Sequence, residues 1–375
     1  MNAGRALVAG RVRIPFRRPF QTALAIRREH ESWIIRVTDG DGRVGLGEAV
    51  LEPDAGETAP RALSALVRAA VDGATAGALP TRAELERHGA PGRALNAALE
   101  SAVIDLEART VSPRIGSEGE GAGVNATLPS LEPAAAAQAA LAAVAAGFAT
   151  LKLKGGDERE TAVLVDRIAA IRTAIGPGVK LRLDVNGVWD SATAEARLRA
   201  IAEFDIEYVE QPLGVRDVDG LARLRRRVRV PIAADEGASS VEAVRALLAA
   251  GAVDALVVKL ARVGGPAAAA EIAEAAAEHG VPTVVSTLFE TGIGIAAALR
   301  SAALLPEMRL AGAARSPDHG LATAGLLEHD LLEESLIVSH GRMRAPGRAG
   351  SGGLGIVLDA GALERFSAER IGSQA

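Results

Sequence analysis

The sequence predicts an α/β protein in which a parallel barrel follows a smaller α+β unit, and three observations carry that expectation. Beyond residue 123, short apolar segments alternate with alanine-rich amphipathic ones, the pattern of parallel strands joined by crossover helices. Ionisable side chains recur at the ends of five consecutive strands, at Lys154, Asp184, Glu210, Asp235 and Lys259, with separations of 30, 26, 25 and 24 residues. Each step is the length of one strand–helix unit. The chain before residue 115 reads differently, as an antiparallel sheet followed by helices. A length of 375 residues accommodates both, since a barrel takes roughly 250.

In the first unit, residues 11–16, 31–38 and 44–49 read as strands, with Asp39-Gly40-Asp41-Gly42 as a turn between two of them. Residues 61–76 and 93–109 read as helices; the second carries Leu95, Leu99, Val103 and Leu106 at helical spacing. A stretch rich in Gly and Ser, 112–123, marks the boundary. Barrel strands follow at 123–128, 150–154, 180–185, 206–210, 232–235, 255–260, 283–287 and 309–313. Helices are expected between them at 131–146, 158–175, 192–204, 217–226, 240–250, 266–279 and 293–304. The tail has a strand-like piece at 335–337, a Gly-rich link at 347–355 and a final helix at 362–370.

Composition excludes several classes. Hydrophobic residues make up 49% of the chain but aromatics only 2%, so the core is built from Ala, Leu, Val and Ile. The net charge of −5 comes from interspersed signs with no basic tract, so nucleic acid is not an expected partner. The absence of cysteine excludes disulfides, thiolate metal sites and cysteine nucleophiles, and fits a reducing, cytoplasmic setting. Residues 1–14 are broken by Arg5, Arg11 and Arg13 and hold no apolar signal core. The Ala-rich run 134–151 contains Gln138 and Gly147 and reads as a packed helix, so no membrane partner is expected.

Basic residues total 42, yet lysine occurs only at Lys152, Lys154, Lys180 and Lys259. Against that bias towards arginine, a surviving lysine marks a place where a group able to lose its proton is needed. Strand side chains alternate, so Lys152 and Lys154 face the barrel interior together. Asp184, Glu210 and Asp235 close three neighbouring strands and can converge on one point. Three carboxylates that close repel one another unless a hard, oxygen-seeking cation such as Mg²⁺ joins them. Lys154 and Lys259 then flank that cation from strands two and six, four steps apart in a ring of eight. The arrangement suits removal of a proton beside a small substrate's carboxylate: the cation stabilises the enolate as charge develops, and a lysine whose pKa is lowered by burial and by the neighbouring Lys152 takes the proton.

Each residue alone has a plainer reading. Asp184 and Asn186 before Gly187 could form a turn; Asp235 or Glu236 could cap a helix. Glu210 could be a barrel-end salt bridge, and Lys259 could cover apolar surface with its stem. Glu290 is either a supporting acid or a loop residue. Ser286 and Thr287 close strand seven and are candidates for substrate contact. Gly264 and Gly265, before a helix, could be turn residues or could present amides to a carboxylate. Lys180 reads as a surface charge, His279 as a helix C-cap, and His319 as a residue near the mouth of strand eight.

The segments at 150–156 (TLKLKGG), 183–187 (LDVNG), 208–213 (YVEQPL), 232–236 (IAADE) and 257–265 (VVKLARVGG) resemble the muconate-lactonizing-enzyme subgroup of the enolase superfamily. Residues 45–50 (GLGEAV) and 98–109 (ALESAVIDLEAR) are similar to its capping domain. The resemblance implies a (β/α)7β TIM-like barrel with an N-terminal α+β capping domain. It places the cap at 1–115, with 330–375 packing back on it, and the barrel at 120–329. It also implies Mg²⁺, with Mn²⁺ able to substitute, on Asp184, Glu210 and Asp235; acid/base roles for Lys154 and Lys259; a loop at 16–26 closing the site; and a homo-oligomer. Within the subgroup, residues 284–299 and 319–332 look most like o-succinylbenzoate synthases, which dehydrate a cyclohexadiene carboxylate in menaquinone biosynthesis; Lys154 would then take the α-proton while Lys259 stabilises the enolate. N-succinyl- or N-acylamino-acid racemases come next, with both lysines exchanging protons. Dipeptide epimerases usually carry an Asp-x-Asp pair where this chain has Asp318 alone. A muconate-type cycloisomerase is a further alternative. Mandelate-racemase types need a histidine on strand seven that this chain lacks.

Overall fold

The computed structural model describes residues 5–21, 26–53, 55–111, 121–310, 312–313, 315–345 and 353–372. Three strands, β1 (Ala6–Gln21), β2 (Ile26–Thr38) and β3 (Val44–Ala49), form an antiparallel meander. The first two strands start earlier than the apolar alternation alone predicts. Their inner face meets α1 (Ala59–Thr75), α2 (Arg82–Glu86) and α3 (Gly89–Val111). Trp33, Ile35 and Val37 pack there against Leu63, Val67, Leu95 and Leu99, each such burial contributing about 1.5–3 kcal/mol. Gly45 and Gly47 let α3 lie directly on β3. A Cβ at either position would sit 1.9 Å from a carbonyl oxygen of Ala102 or Ala98.

The barrel begins with β4 (Ala122–Gly123) and β5 (Ala126–Leu128), followed by α4 (Pro133–Ala145) and β6 (Thr150–Lys154). Then come α5 (Thr161–Ile175), β7 (Lys180–Asp184), α6 (Ser191–Ala200), β8 (Ile206–Glu210), α7 (Val218–Arg225) and β9 (Ile232–Ala234). It continues through α8 (Val241–Ala249), β10 (Ala255–Lys259), the single turn α9 (Leu260–Val263), α10 (Pro266–Glu278), β11 (Thr283–Ser286) and α11 (Gly292–Leu304). Among the described residues the parallel sheet runs β11-β10-β9-β8-β7-β6-β5. On β6 and β7 the residues facing the helices are aliphatic and those facing inward are polar or charged, as with Leu151 and Leu153 against Lys152 and Lys154.

The eighth stave differs from expectation. Residue 311 lies outside the described residues, and 309–310 and 312–313 form no strand. The ring closes instead through His319 and Gly320, which pair in parallel with Val124 and Ser286. The His319 amide donates to Gly123 O, the Asn125 amide to His319 O and the Gly320 amide to Val285 O, at 2.8–2.9 Å. Two residues bridging both edges carry no strand-length apolar pattern, so the apolar 309–313 stood out in their place.

In the tail, β12 (Ile337–Ser339) and β13 (Arg342–Arg344) make a hairpin that adds to β4. The expected helix at 362–370 is two elements: α12 (Ala360–Phe366) and β14 (Ser367–Ile371). β14 pairs antiparallel with β1, and that sheet edge overrides local helical spacing. Most of the expected links at 112–123 and 347–355, and part of the loop at 16–26, lie outside the described residues. The Ala-rich run expected as a packed helix forms α4, and among the described residues no helix is long and apolar enough to cross a membrane.

Candidate active site

Register brings the charged residues to one level. Lys154 is the partner of Asp184, and Asp184 of Glu210, across β6, β7 and β8. Glu210 pairs with Ala233, so Asp235 lies two residues further, on the same face. One oxygen from each of Asp184, Glu210 and Asp235 lies within 4.8 Å of the others, and all three residues are buried.

The lysines grip this cluster from two sides. Lys154 Nζ donates to Asp184 Oδ2 at 2.5 Å and Lys259 Nζ to Asp235 Oδ2 at 2.7 Å. Lys152 Nζ lies between Asp184 Oδ2 at 3.0 Å and Glu210 Oε1 at 3.1 Å. Lys152 is therefore bonded to carboxylates, and its charge is directed at them rather than at Lys154. Burial pushes Lys152 down, but Glu210 and Asp184 outweigh it and hold the ammonium well above its usual range. Lys259 is also held up: burial and Arg262 lower it, while Asp235, Glu52 and Glu236 together prevail. Among the acids, burial raises all three. Lys154 and Lys152 reverse that for Asp184, and Arg262 and Lys259 for Asp235. Glu210, pressed also by Asp184, ends well above its ordinary value.

The loops after these strands are held in unusual conformations. Asn186 and Gln211 have φ of +49° and +45°, costly for residues with a Cβ and concentrated at functional positions. Gln211 Oε1 accepts from the amides of Asp235 at 3.1 Å and Gly237 at 3.0 Å, tying two strand ends together. Asn186 Nδ2 donates to Glu236 Oε1 at 2.9 Å.

A cavity opens over the cluster. Lys152, Lys154, Lys259, Asn186, Glu236, Ser286 and Thr287 line it, together with Thr127, Leu288, Phe289, Gly320, Thr323 and, from the loop after β3, Glu52 and Pro53. The structure thus brings most of the expected residues to one place, with four exceptions. Gly264 and Gly265 do not line it; both amides donate to Leu260 O, and α3 packs against them. Glu290 is buried behind the wall, where its Oε2 accepts from the Leu288 amide, and burial with Glu48 nearby pushes its carboxyl to about 8. His319, set near the mouth on sequence grounds, serves the barrel seam. Its Nδ1 accepts from the Val285 amide at 3.1 Å, and burial and Arg182 lower its pKa to about 4, so the ring is neutral.

Two residues went unnoticed in the sequence. Arg262 bonds Asp235 Oδ1 through Nη1 and Glu52 Oε1 through Nε. Its only sequence signal is its place three residues after Lys259. Glu52 has none, because its partner is 210 residues away.

The donor set fits a hard cation. Three buried carboxylates crowd together at the cost of raising Glu210, and they supply oxygen ligands only, the preference of Mg²⁺ or Mn²⁺.

Residues 134–362 match the family profile described as "Enolase C-terminal domain-like", and residues 6–115 match "Mandelate racemase / muconate lactonizing enzyme, N-terminal domain". The chain belongs to the enolase superfamily. Over 219 residues it is 42% identical to the o-succinylbenzoate synthase of Thermobifida fusca (strain YX), a span of 58% of this chain and 64% of that protein. The chain thus spans less than two thirds of the length of the curated relatives it matches. Among solved structures, the muconate lactonizing enzyme from Pseudomonas fluorescens complexed with muconolactone is 25% identical, with a TM-score of 0.82, over 98% of this chain and 100% of that one. The L-Ala-D/L-Glu epimerase from Bacillus subtilis is 28% identical, with a TM-score of 0.78, over 94% and 99%.

Proposed function

We propose that this chain is a divalent-metal enzyme that removes a proton alpha to a carboxylate, and that its reaction is the dehydration carried out by o-succinylbenzoate synthases, a carbon–oxygen hydro-lyase step of menaquinone biosynthesis. One observation carries the class: Lys154 and Lys259 engage opposite members of a single buried carboxylate cluster, Asp184 and Asp235. Asp184, Glu210 and Asp235 would hold a Mg²⁺ ion, which would supply positive charge to a substrate carboxylate. Lys154 then removes the α-proton. Lys259 keeps its proton and offsets the charge that develops on the carboxylate. Loss of hydroxide from the neighbouring carbon completes the double bond. Ser286 and Thr287, with Asn186 and Glu236, border the substrate. We place the cap in residues 1–115 with 330–375 and the barrel in 120–329. The 42% identity to a named synthase supports dehydration over the other subgroup reactions.

A second reading, racemization of N-succinyl amino acids, is favoured by the near-symmetry of the two lysines, each with one carboxylate partner at 2.5 or 2.7 Å. The test of the class is Mg²⁺-dependent exchange of an α-proton in deuterated water. No exchange across a panel of carboxylates would sink it. Dehydration of the menaquinone precursor, assayed beside racemization of N-succinyl amino acids, separates the two reactions.

A further inference from the structure

A second, larger cavity adjoins the first and shares Glu52, Glu236 and Leu288 with it. It lies between the loop after β3 and the start of α3 on one side, and the loops after β8 and β9 on the other. Its floor is Ala243, Ala246 and Ala261; its cations are Arg93, Arg216 and Arg262.

The charges here are unequal in their commitments. Arg262 is engaged by Asp235 and Glu52. Glu236 accepts from Asn186 at the wall shared with the site. Arg93 donates only its Nε, to Arg262 O at 2.7 Å. Among the described residues no carboxylate pairs with its Nη groups. Burial depresses this guanidinium below its usual range, and the more distant Glu86, Glu242 and Glu52 offset only part of that. Arg216, on the facing loop, has no hydrogen-bonded or ionic partner among the described residues. Two uncommitted guanidinium groups over an alanine floor make a cradle for a carboxylate, which each can bind in a two-pronged fashion.

We propose that this chamber binds the distal carboxylate of a dianionic substrate, with Arg93 and Arg216 as its anchors and the reacting carboxylate over the Asp184–Glu210–Asp235 cluster. The inference rests on the function proposed above and deepens it. An o-succinyl aromatic acid and an N-succinyl amino acid share a succinyl arm that ends in a carboxylate, so the chamber serves either reaction. Arg262 lines the second cavity and bonds Glu52, which lines both. It lies one helical turn from Lys259, and its carbonyl fixes Arg93. The distal anchor is thereby tied to the reacting end through a single side chain.

The experiment is calorimetric titration of the Mg²⁺-loaded protein with o-succinylbenzoate and with its distal monoamide, which keeps the ring carboxylate but lacks the second charge. The wild type should prefer the dianion. Arg93→Ala with Arg216→Ala should weaken the dianion at least tenfold and leave the monoamide unchanged, erasing the preference. Arg93→Lys, with its charge intact, should restore part of it, and melting curves confirm that each variant is folded; if the double variant unfolds, the Arg216→Ala single variant must show the same selective loss. Equal losses for both ligands, no loss for either, or a wild type without preference overturns the chamber. Proton exchange by the wild type is read separately. Exchange with equal losses removes only the chamber; selective losses without exchange leave the chamber standing and remove the proposed reaction.

Discussion

Glu48 on β3 accepts the Thr291 hydroxyl at 2.7 Å and the Thr291 amide at 3.0 Å, joining the antiparallel sheet to the first turn of the barrel's last described helix. The Gly294 amide and His30 Nε2 are further partners, each at 3.0 Å, and neither the Glu48 nor the His30 side chain is exposed to solvent. The residues just before Thr291 line the candidate site, so this one carboxylate sets where Leu288 and Phe289 stand. Phe289 in turn packs edge-on against Phe16 of β1, with ring centroids 5.7 Å apart.

Glu48→Ala removes an acceptor shared by several buried donors. Hydrogen bonds to a charged group contribute about 1.5–3 kcal/mol each and do not add fully, so a loss of about 3 kcal/mol or more is expected, read as a lower denaturant midpoint at pH 7. Burial alone would raise the Glu48 pKa, but the bonds from His30 and Thr291 bring it below its usual value. A depressed carboxylate stabilises the fold above its unfolded pKa of about 4.3 and loses that contribution as pH falls through the folded value. The wild-type midpoint should therefore drop more steeply than that of Glu48→Gln as pH is lowered below about 4. Parallel curves for the two proteins would contradict this.

Glu290 behaves in the opposite sense. Its carboxyl is pushed up to about 8 by burial and by Glu48, so the folded protein retains a proton that the unfolded chain releases above about pH 4.3. Stability is unaffected below that pH, declines up to about pH 8, and is level beyond it. Glu290→Gln keeps an acceptor for the Leu288 amide and removes the decline. At pH 8 this variant should melt above the wild type by an amount equivalent to a few kcal/mol, on the order of the whole shift. Thermal melts at pH 5 and pH 8 measure it, and an unchanged difference between the two pH values would refute it.

Divalent cation should stabilise the chain by binding only its folded form. At a hundred times its dissociation constant, a ligand adds about 2.7 kcal/mol. The melting temperature should therefore rise with Mg²⁺ or Mn²⁺ and return on chelation. Asp184→Asn, Glu210→Gln and Asp235→Asn should each lose most of that rise. A rise that survives all three substitutions would place the ion elsewhere.

The lysines can be told apart by substitution. Lys154→Ala should lower α-proton exchange by about 10²–10⁴, the usual worth of a positioned base. Lys259→Arg preserves charge but cannot give up a proton near neutral pH. Under dehydration, Lys259→Arg should retain measurable turnover; under racemization it should abolish inversion while exchange from one enantiomer persists. Loss of dehydration in Lys259→Arg equal to that in Lys154→Ala would assign Lys259 a proton-transfer role instead.

What the sequence made legible was local. The strands bearing Lys154, Asp184, Glu210 and Lys259 each end in an inward-facing charge after a short apolar run, and each is complete within about five residues. Their even spacing then fixed their order around the ring. Illegible features depend on distant partners. His319 and Gly320 close the barrel with two residues. Residues 367–371 are strand because β1 lies beside them. Glu52 and Arg262 meet across 210 residues, and Glu48 meets Thr291 across 243. Gly264 and Gly265 have the composition of an anion-binding turn, yet their amides go to Leu260.

The pairing of Ala9 with Ile371 has a consequence for how the molecule is made. At about 5–20 residues per second on the ribosome, β1 emerges tens of seconds before β14 exists to cover it. Throughout that interval one side of the meander shows a row of unpaired amides and carbonyls, the surface on which strands of separate chains join. Yield in a cell should accordingly depend on nascent-chain chaperones, and on how quickly translation reaches residues 367–371.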